Sequence, residues 1–280
     1  MKLRGDVLKK IRRKRGLSQT ALAEGICTQA TISLMEKQNR LPKMNILTAI
    51  CERLNIPTER IVENSGSGIN DQFNAIVNEL IAGKYETAAE ALNKIPVKKL
   101  ESDFDKQRYY YLLGMVQVKS NKIDEAIFNF ELVLTQFATT SANIYLAMTT
   151  AGMALAYYKR DDPERAARLT DRAVRLIDNK KLIGSLHQWA LVYCQLGELY
   201  SNLGSYKDSK DIVERGIELC REHGSLFILD ELYLIRGKDE LALGEDKQAK
   251  ETLEIARSIS IARRESFVKD EIAAELKKLK

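Results

Sequence analysis

The chain has 280 residues, 45% apolar and 30% charged, with 4 Pro and 15 Gly. That is length for one to two domains with ample material for a core, and so few prolines argue against a disordered or collagen-like chain and for long helices. No run approaches the roughly 20 apolar residues of a membrane span, and charge rather than an apolar leader follows Met1. The four cysteines (Cys27, Cys51, Cys194, Cys220) show no C-x-x-C spacing, and two histidines are too few for a histidine-based metal centre. The expectation is a cytoplasmic, mostly helical protein with reduced thiols, no metal, no cofactor and no membrane partner.

The net charge of +5 is unevenly placed. Residues 1–62 carry 13 Lys/Arg against 5 Asp/Glu, whereas the other 218 carry 31 against 34. A small basic module joined to a near-neutral body has the electrostatic outline of a nucleic-acid reader with a second function. The densest run, Lys9-Lys10-Ile11-Arg12-Arg13-Lys14-Arg15, is solvated helix surface unless its neighbours say otherwise.

Leu3, Val7, Leu8 and Ile11 set an amphipathic first helix that Gly16 ends. Ser18 caps a short second helix beginning at Gln19, Gly25-Ile26-Cys27 makes a tight turn, and Thr28 caps a third helix from Gln29 to Lys37. Beyond Pro42, a fourth helix turns Ile46, Leu47, Ile50, Cys51 and Leu54 inward, and after a turn at 55–58 a last short helix reaches Ile61. Five short helices with a brief second-to-third connection fit a helix-turn-helix. Ile32 and Met35 face its core, so Gln29, Ala30, Ser33 and Lys37 share the opposite side. Short or amide side chains there let a recognition helix enter the major groove, where Gln29 can pair with adenine and Ala30 or Leu34 can meet a thymine methyl. Gln19, Thr28, Arg40 and Lys43 are placed for phosphates, and Thr31 joins the same candidate set.

Gly16-Leu17-Ser18-Gln19, Leu22-Ala23, Ile32-Ser33 and Glu36, with Pro42 beyond, resemble the Cro/phage-repressor helix-turn-helix. From Gln19 to Glu36 the chain is one residue shorter than the commonest pattern, with Cys27 near the usual turn glycine. The string Gly-Ile-Cys-Thr-Gln-Ala-Thr-Ile-Ser resembles the variant of Rgg-, PlcR- and PrgX-like regulators.

Glu63-Asn-Ser-Gly-Ser-Gly68 reads as a flexible joint, giving a DNA-binding domain over 1–62, a linker over 63–70 and a second domain over 71–280. That second domain repeats. Turn formers Gly83, Asn121, Asp161, Gly204 and Gly244 each precede a small residue by five positions: Ala88, Ala126, Ala166, Ser209 and Ala249. Their separations are 38, 40, 43 and 40 residues. Upstream lie Gly114, Ala154, Gly197 and Gly237, where two helices must approach closely. Phe130, Ala173, Leu253 and Ala256 occupy inner positions downstream. The pattern resembles tetratricopeptide repeats: five helical hairpins in a right-handed α-solenoid, closed by the terminal stretch with Ile259, Ile261, Phe267, Ile272 and Leu276. The fold class expected is all-α throughout.

Counted from the repeat register, the positions expected to line a concave channel are Arg108, Tyr111, Lys119, Tyr158, Lys159, Glu198, Asn202 and Lys238, with Asn143 further up the third repeat. Asparagine both donates and accepts, as an extended peptide backbone requires. No Gly-rich phosphate loop, H-E-x-x-H or G-x-S-x-G occurs, and Cys194, seven residues from His187, reads as a packed thiol, so an enzyme is disfavoured.

Helix-turn-helix, joint and five-repeat solenoid together resemble the RRNPP group of quorum-sensing regulators. The resemblance implies a homodimer that binds double-stranded operator DNA and a short signalling peptide in the channel. The alternative is a regulator whose repeats serve protein interaction or dimerisation without a peptide.

Overall fold

The computed structural model describes residues 2–54, 56, 60–63, 67–100, 102–137, 143–179, 182–263 and 266–279. It divides into two compact units, Met1–Asn74 and Ala75–Lys280.

In the first unit, α1 (Gly5–Lys14), α2 (Gln19–Ala23), α3 (Gln29–Gln38) and α4 (Met44–Leu54) follow the expected order. Leu8, Leu22, Ile32, Met35, Leu47, Ile50, Leu54 and Ile61 are all but fully buried together. Each such side chain contributes roughly 1.5–3 kcal/mol of burial. Gly16 stops α1 with φ +69°, and Leu17 N–H returns to the Arg12 carbonyl (3.2 Å), the left-handed helix end that glycine permits. Ser18 and Thr28 cap as expected, accepting from Ala21 N–H (3.0 Å) and Thr31 N–H (3.3 Å). The expected turn at 55–58 and the short fifth helix fall largely outside the described residues.

Two details depart from the sequence reading. Leu3 belongs not to α1 but to a two-residue strand, β1 (Lys2–Leu3), paired antiparallel with β2 (Val62–Glu63) in the register Leu3↔Val62. Gly5 brings the start of α1 onto the end of α3: a Cβ there would lie 2.1 Å from the Met35 carbonyl oxygen.

The expected joint over 63–70 is corrected in part. Glu63 lies in β2, residues 64–66 lie outside the described residues, and α5 (Ser67–Ile81) is already helical from Ser67. The division between units falls within α5, after Asn74. Apolar spacing overrode local composition: Ile69, Phe73 and Ile76 recur at helical intervals, and the last two are buried.

The second unit is a series of hairpins. After α5 comes α6 (Tyr85–Asn93), then α7 (Asp103–Lys119) with α8 (Ile123–Thr135), α9 (Tyr145–Lys159) with α10 (Pro163–Asn179), α11 (Leu186–Asn202) with α12 (Tyr206–Glu222), α13 (Leu229–Ala242) with α14 (Asp246–Ala262), and finally α15 (Lys269–Lys278). All five turn formers are left-handed, at φ between 60° and 79°, and the residue after each returns its N–H to the carbonyl five back (2.8–3.0 Å). The same helix stop is thus used five times, with Asn121 and Asp161 tolerating the conformation in place of glycine. Ala88, Ala126, Ala166, Ser209 and Ala249 are fully buried.

The expected close approaches are present. A Cβ on Gly114 would meet the Phe130 ring at 2.5 Å, one on Gly197 would meet Val213 at 2.3 Å, and one on Gly237 would meet Leu253 at 2.7 Å. First helices touch one another in order, α7 to α9 to α11 to α13, closer than successive second helices do among the described residues. One layer packed tighter than the other bends the stack, with the first helices on the inner side. Ile272 and Leu276 on α15 close it against Leu234, Leu253 and Ala256, as expected, but Ile261 and Phe267 are 62% and 49% exposed and do not. No described helix is long and apolar enough to cross a membrane.

Gly197→Ala should destabilise the repeat unit by about 1–3 kcal/mol, because Val213 must move for the new methyl. Thermal unfolding followed by circular dichroism should show the midpoint falling by several degrees.

Candidate nucleic-acid interface and inner-face site

α3 presents the surface expected of a recognition helix. Ile32 and Met35 are buried, whereas Gln29, Ala30 and Lys37 are exposed and Thr31 and Ser33 half-exposed. Thr28, Arg40 and Lys43 are exposed around it, and Gln19 at the start of α2 is half-buried beside it. The shortened turn is settled by Gly25 at φ +68° and by Ile26 and Cys27 N–H groups, both donating to the Ala23 carbonyl (2.9 Å). Arg53 of α4 donates to the carbonyls of Leu22 (3.2 Å) and Glu24, holding the end of α2. Its position on an amphipathic helix gave no sign of that role.

Within the basic run, Arg12 is not solvated surface. It is 7% exposed, and its guanidinium donates to both Glu36 carboxylate oxygens (2.6 and 2.9 Å) and to the Leu17 carbonyl (2.7 Å). Gln19 Nε2 donates to Glu36 Oε2 (2.8 Å), and Gln29 Nε2 donates to Gln19 Oε1 (2.6 Å). A continuous polar series therefore runs from the core to the exposed start of α3. Burial alone would push the Glu36 carboxyl up; the Arg12 and Gln19 bonds and the Arg12 charge more than reverse this and hold it below its ordinary value.

On the repeat unit, the structure brings some channel candidates together and not others. Lys119, Tyr158 and Glu198 are half-exposed, and Lys159 and Asn202 exposed. Lys159 donates to the Val118 carbonyl (3.1 Å), and burial followed by Lys119 repulsion lowers its pKa against an opposing Glu198. These three charges, from α7, α9 and α11, therefore share one neighbourhood. Glu231 of α13, which the repeat register did not flag, joins them: burial and then Asp230 push its carboxyl up to about 7, with Arg263 and Lys119 opposing. Lys238 is engaged with Glu271 (2.9 Å).

Arg108, Tyr111 and Asn143 are buried at 8%, 6% and 8% exposure and do not line an open surface. Tyr111 packs between Tyr145 and Phe130, its hydroxyl pKa raised chiefly by burial, while Arg108 lies 5.9 Å from the Phe104 ring. Asn143 donates to Gln107 (2.9 Å) and accepts from Tyr145 N–H (3.0 Å). The reason is local: α7 is packed on more sides than a single register position conveys. Gln195 of α11 also reaches Met115 of α7 (3.7 Å), so the inner side is bridged at that level and the charged group lies about one turn beyond. Among the described residues, no three His, Cys, Asp or Glu side chains are grouped to hold a metal ion.

A helix-turn-helix with its third helix exposed on one unit and a hairpin stack on the other define a helix-turn-helix protein with a tetratricopeptide-repeat domain. Residues 8–61 match the helix-turn-helix family, and residues 107–140 and 190–223 match the tetratricopeptide repeat. Nearly the whole chain shares its fold with Bacillus thuringiensis PlcR, solved with the peptide PapR7 and DNA (TM-score 0.77, 18% identity, 97% of this chain and 99% of that). The pheromone receptor Rgg2 of Streptococcus dysgalactiae (TM-score 0.64, 13%, 99% and 100%) has the same fold. So does ComR of S. thermophilus, solved with DNA and its signalling peptide ComS (TM-score 0.53, 16%, 98% and 99%). No curated protein matches the chain in sequence. The RRNPP resemblance is thus carried by the fold across both units.

Two outcomes follow from the charges. Since Glu36 is held below its unfolded value, its contribution is complete above about pH 4.3 and disappears as pH falls through the folded value. Glu36→Ala should cost about 3–5 kcal/mol at neutral pH by stranding Arg12, a loss that should shrink on acidification in chemical unfolding. Glu231 has the opposite sign: its contribution is complete below about pH 4.3 and lost as pH rises through about 7. Glu231→Gln should therefore raise the thermal midpoint at pH 8 more than at pH 5.

Proposed function

We propose that the protein is a cytoplasmic transcriptional regulator that reads operator DNA as a homodimer and is controlled by a short signalling peptide on the inner side of its repeats. The observation that carries the DNA half is the side of α3 with exposed Gln29, Ala30 and Lys37 and half-exposed Ser33, opposite its buried Ile32 and Met35. Two copies would address two half-sites about one or more DNA turns apart. The peptide half is supported by the Lys119, Lys159, Glu198 and Glu231 neighbourhood, where four first helices gather charge and where burial lowers Lys159 and raises Glu231. It is supported also by the fold shared with PlcR and ComR, both solved with peptide and DNA.

A peptide that binds one curvature of the stack better than another shifts the DNA-competent population by that difference in affinity and no more. The second reading, repeats that bind a protein partner or only a second copy, is favoured by exposed Phe104, Ile183, Leu226 and Phe267, at or ahead of the starts of α7, α11, α13 and α15. Calorimetry with a pool of short synthetic peptides separates the two: saturable heat supports the peptide, and none across the pool favours the partner.

In binding assays, Gln29→Ala should reduce discrimination among sequences, whereas Arg40→Ala should weaken specific and random duplexes alike. Asn202→Ala should weaken peptide binding with helical content unchanged, measured by calorimetry and circular dichroism on the same samples.

A further inference from the structure

The bonded series Arg12, Glu36, Gln19, Gln29 has a direction. Arg12 only donates and an ionised carboxylate only accepts, so Gln19 must turn its NH2 group to Glu36 and its carbonyl oxygen away. That oxygen accepts from Gln29, which commits one Gln29 N–H inward and leaves its carbonyl oxygen and second N–H for the solvent side. An acceptor beside a donor is what the adenine N6/N7 edge takes. With the series reversed, the Gln29 oxygen would turn inward and its NH2 group would face the solvent side, presenting donors toward the two acceptors of guanine.

We infer that Glu36 is a positioning residue for base recognition: acting through Gln19, it sets the polarity of the Gln29 amide and makes the protein prefer adenine to guanine at the base that amide meets. This rests on the DNA-reading assignment of α3. Arg12, held in place by the Leu17 carbonyl, fixes the anion from the core side. Replacing Glu36 by Gln keeps the shape and reverses the logic. The new carbonyl must face Arg12, the new NH2 must face Gln19, and the Gln19 NH2 then seeks the Gln29 oxygen.

Selection by the full-length protein from a pool of random-sequence duplexes gives the preferred site. Wild type, Glu36→Gln, Gln19→Ala and Gln29→Ala are then titrated against that duplex and each of its single A-to-G exchanges. All three variants should lose the adenine preference at the same position, by about tenfold. Glu36→Gln should hold random duplex within roughly twofold of wild type, since no phosphate contact is removed. Gln19→Ala leaves the Arg12–Glu36 pair intact, so it decides the matter if Glu36→Gln unfolds. The inference falls if Gln29→Ala loses the preference while Glu36→Gln and Gln19→Ala keep it, or if Glu36→Gln weakens every duplex uniformly. A wild type that selects no sequence, or a Gln29→Ala variant unchanged at every position, instead removes the DNA-reading assignment.

Discussion

Two helices can lie against each other only where something small lets them. In this chain that requirement recurs: glycine or alanine sits at the middle of four successive first helices, and a fully buried small residue lies early in every second helix. Phe130, Val213 and Leu253 fill the space that Gly114, Gly197 and Gly237 leave open. Because that space is filled, each hairpin keeps a fixed splay, and because successive hairpins are alike, the fixed splay accumulates into a bend. The inner-side charges exist as a group because successive first helices pack side by side. Lys119, Lys159, Glu198 and Glu231 are far apart along the chain and come from four different first helices.

What the sequence made legible was whatever repeats or caps. Ser18, Thr28 and five left-handed turn formers announce themselves because few residue types tolerate those backbone positions. The recognition face was legible for the same reason, since helical periodicity assigns sides. Side-chain burial across elements was not. Counting from Gly114 put Tyr111 and Arg108 on the inner side, but a register supplies an angle around one helix and says nothing of how many neighbours surround it. Glu231 was missed for the converse reason: it looks like an ordinary first-turn carboxylate, and the burial that raises it most comes from packing that its own helix does not reveal. The stretch around Ser67 misled because glycine and serine signal freedom locally, whereas Phe73 and Ile76 a few residues on impose a helix.

The two units use charge in opposite ways. Around Arg12 and Glu36 every donor and acceptor named has a partner, and the pair is shielded from water, so it fixes geometry at the cost of desolvating two ions. On the inner side of the repeats the charges influence one another without closing into tight pairs: Lys159 turns to a backbone carbonyl, and Glu231, raised chiefly by burial, lies 4.0 Å from Arg263. The first arrangement suits a surface that must meet its target already shaped. The second suits a surface whose electrostatics are completed by something from outside.

The miniature ladder between Lys2–Leu3 and Val62–Glu63 bears on how the helix-turn-helix unit can be cut from the rest. Its first residues are tethered to its last by backbone bonds, and the Arg4 N–H reaches the Ile61 carbonyl (2.7 Å) as well. A fragment ending tidily at the close of α4 would keep α1 to α4 yet unzip this clasp and uncover Leu3. An excision point therefore has to lie beyond Glu63, past the clasp rather than at the last helix of the bundle.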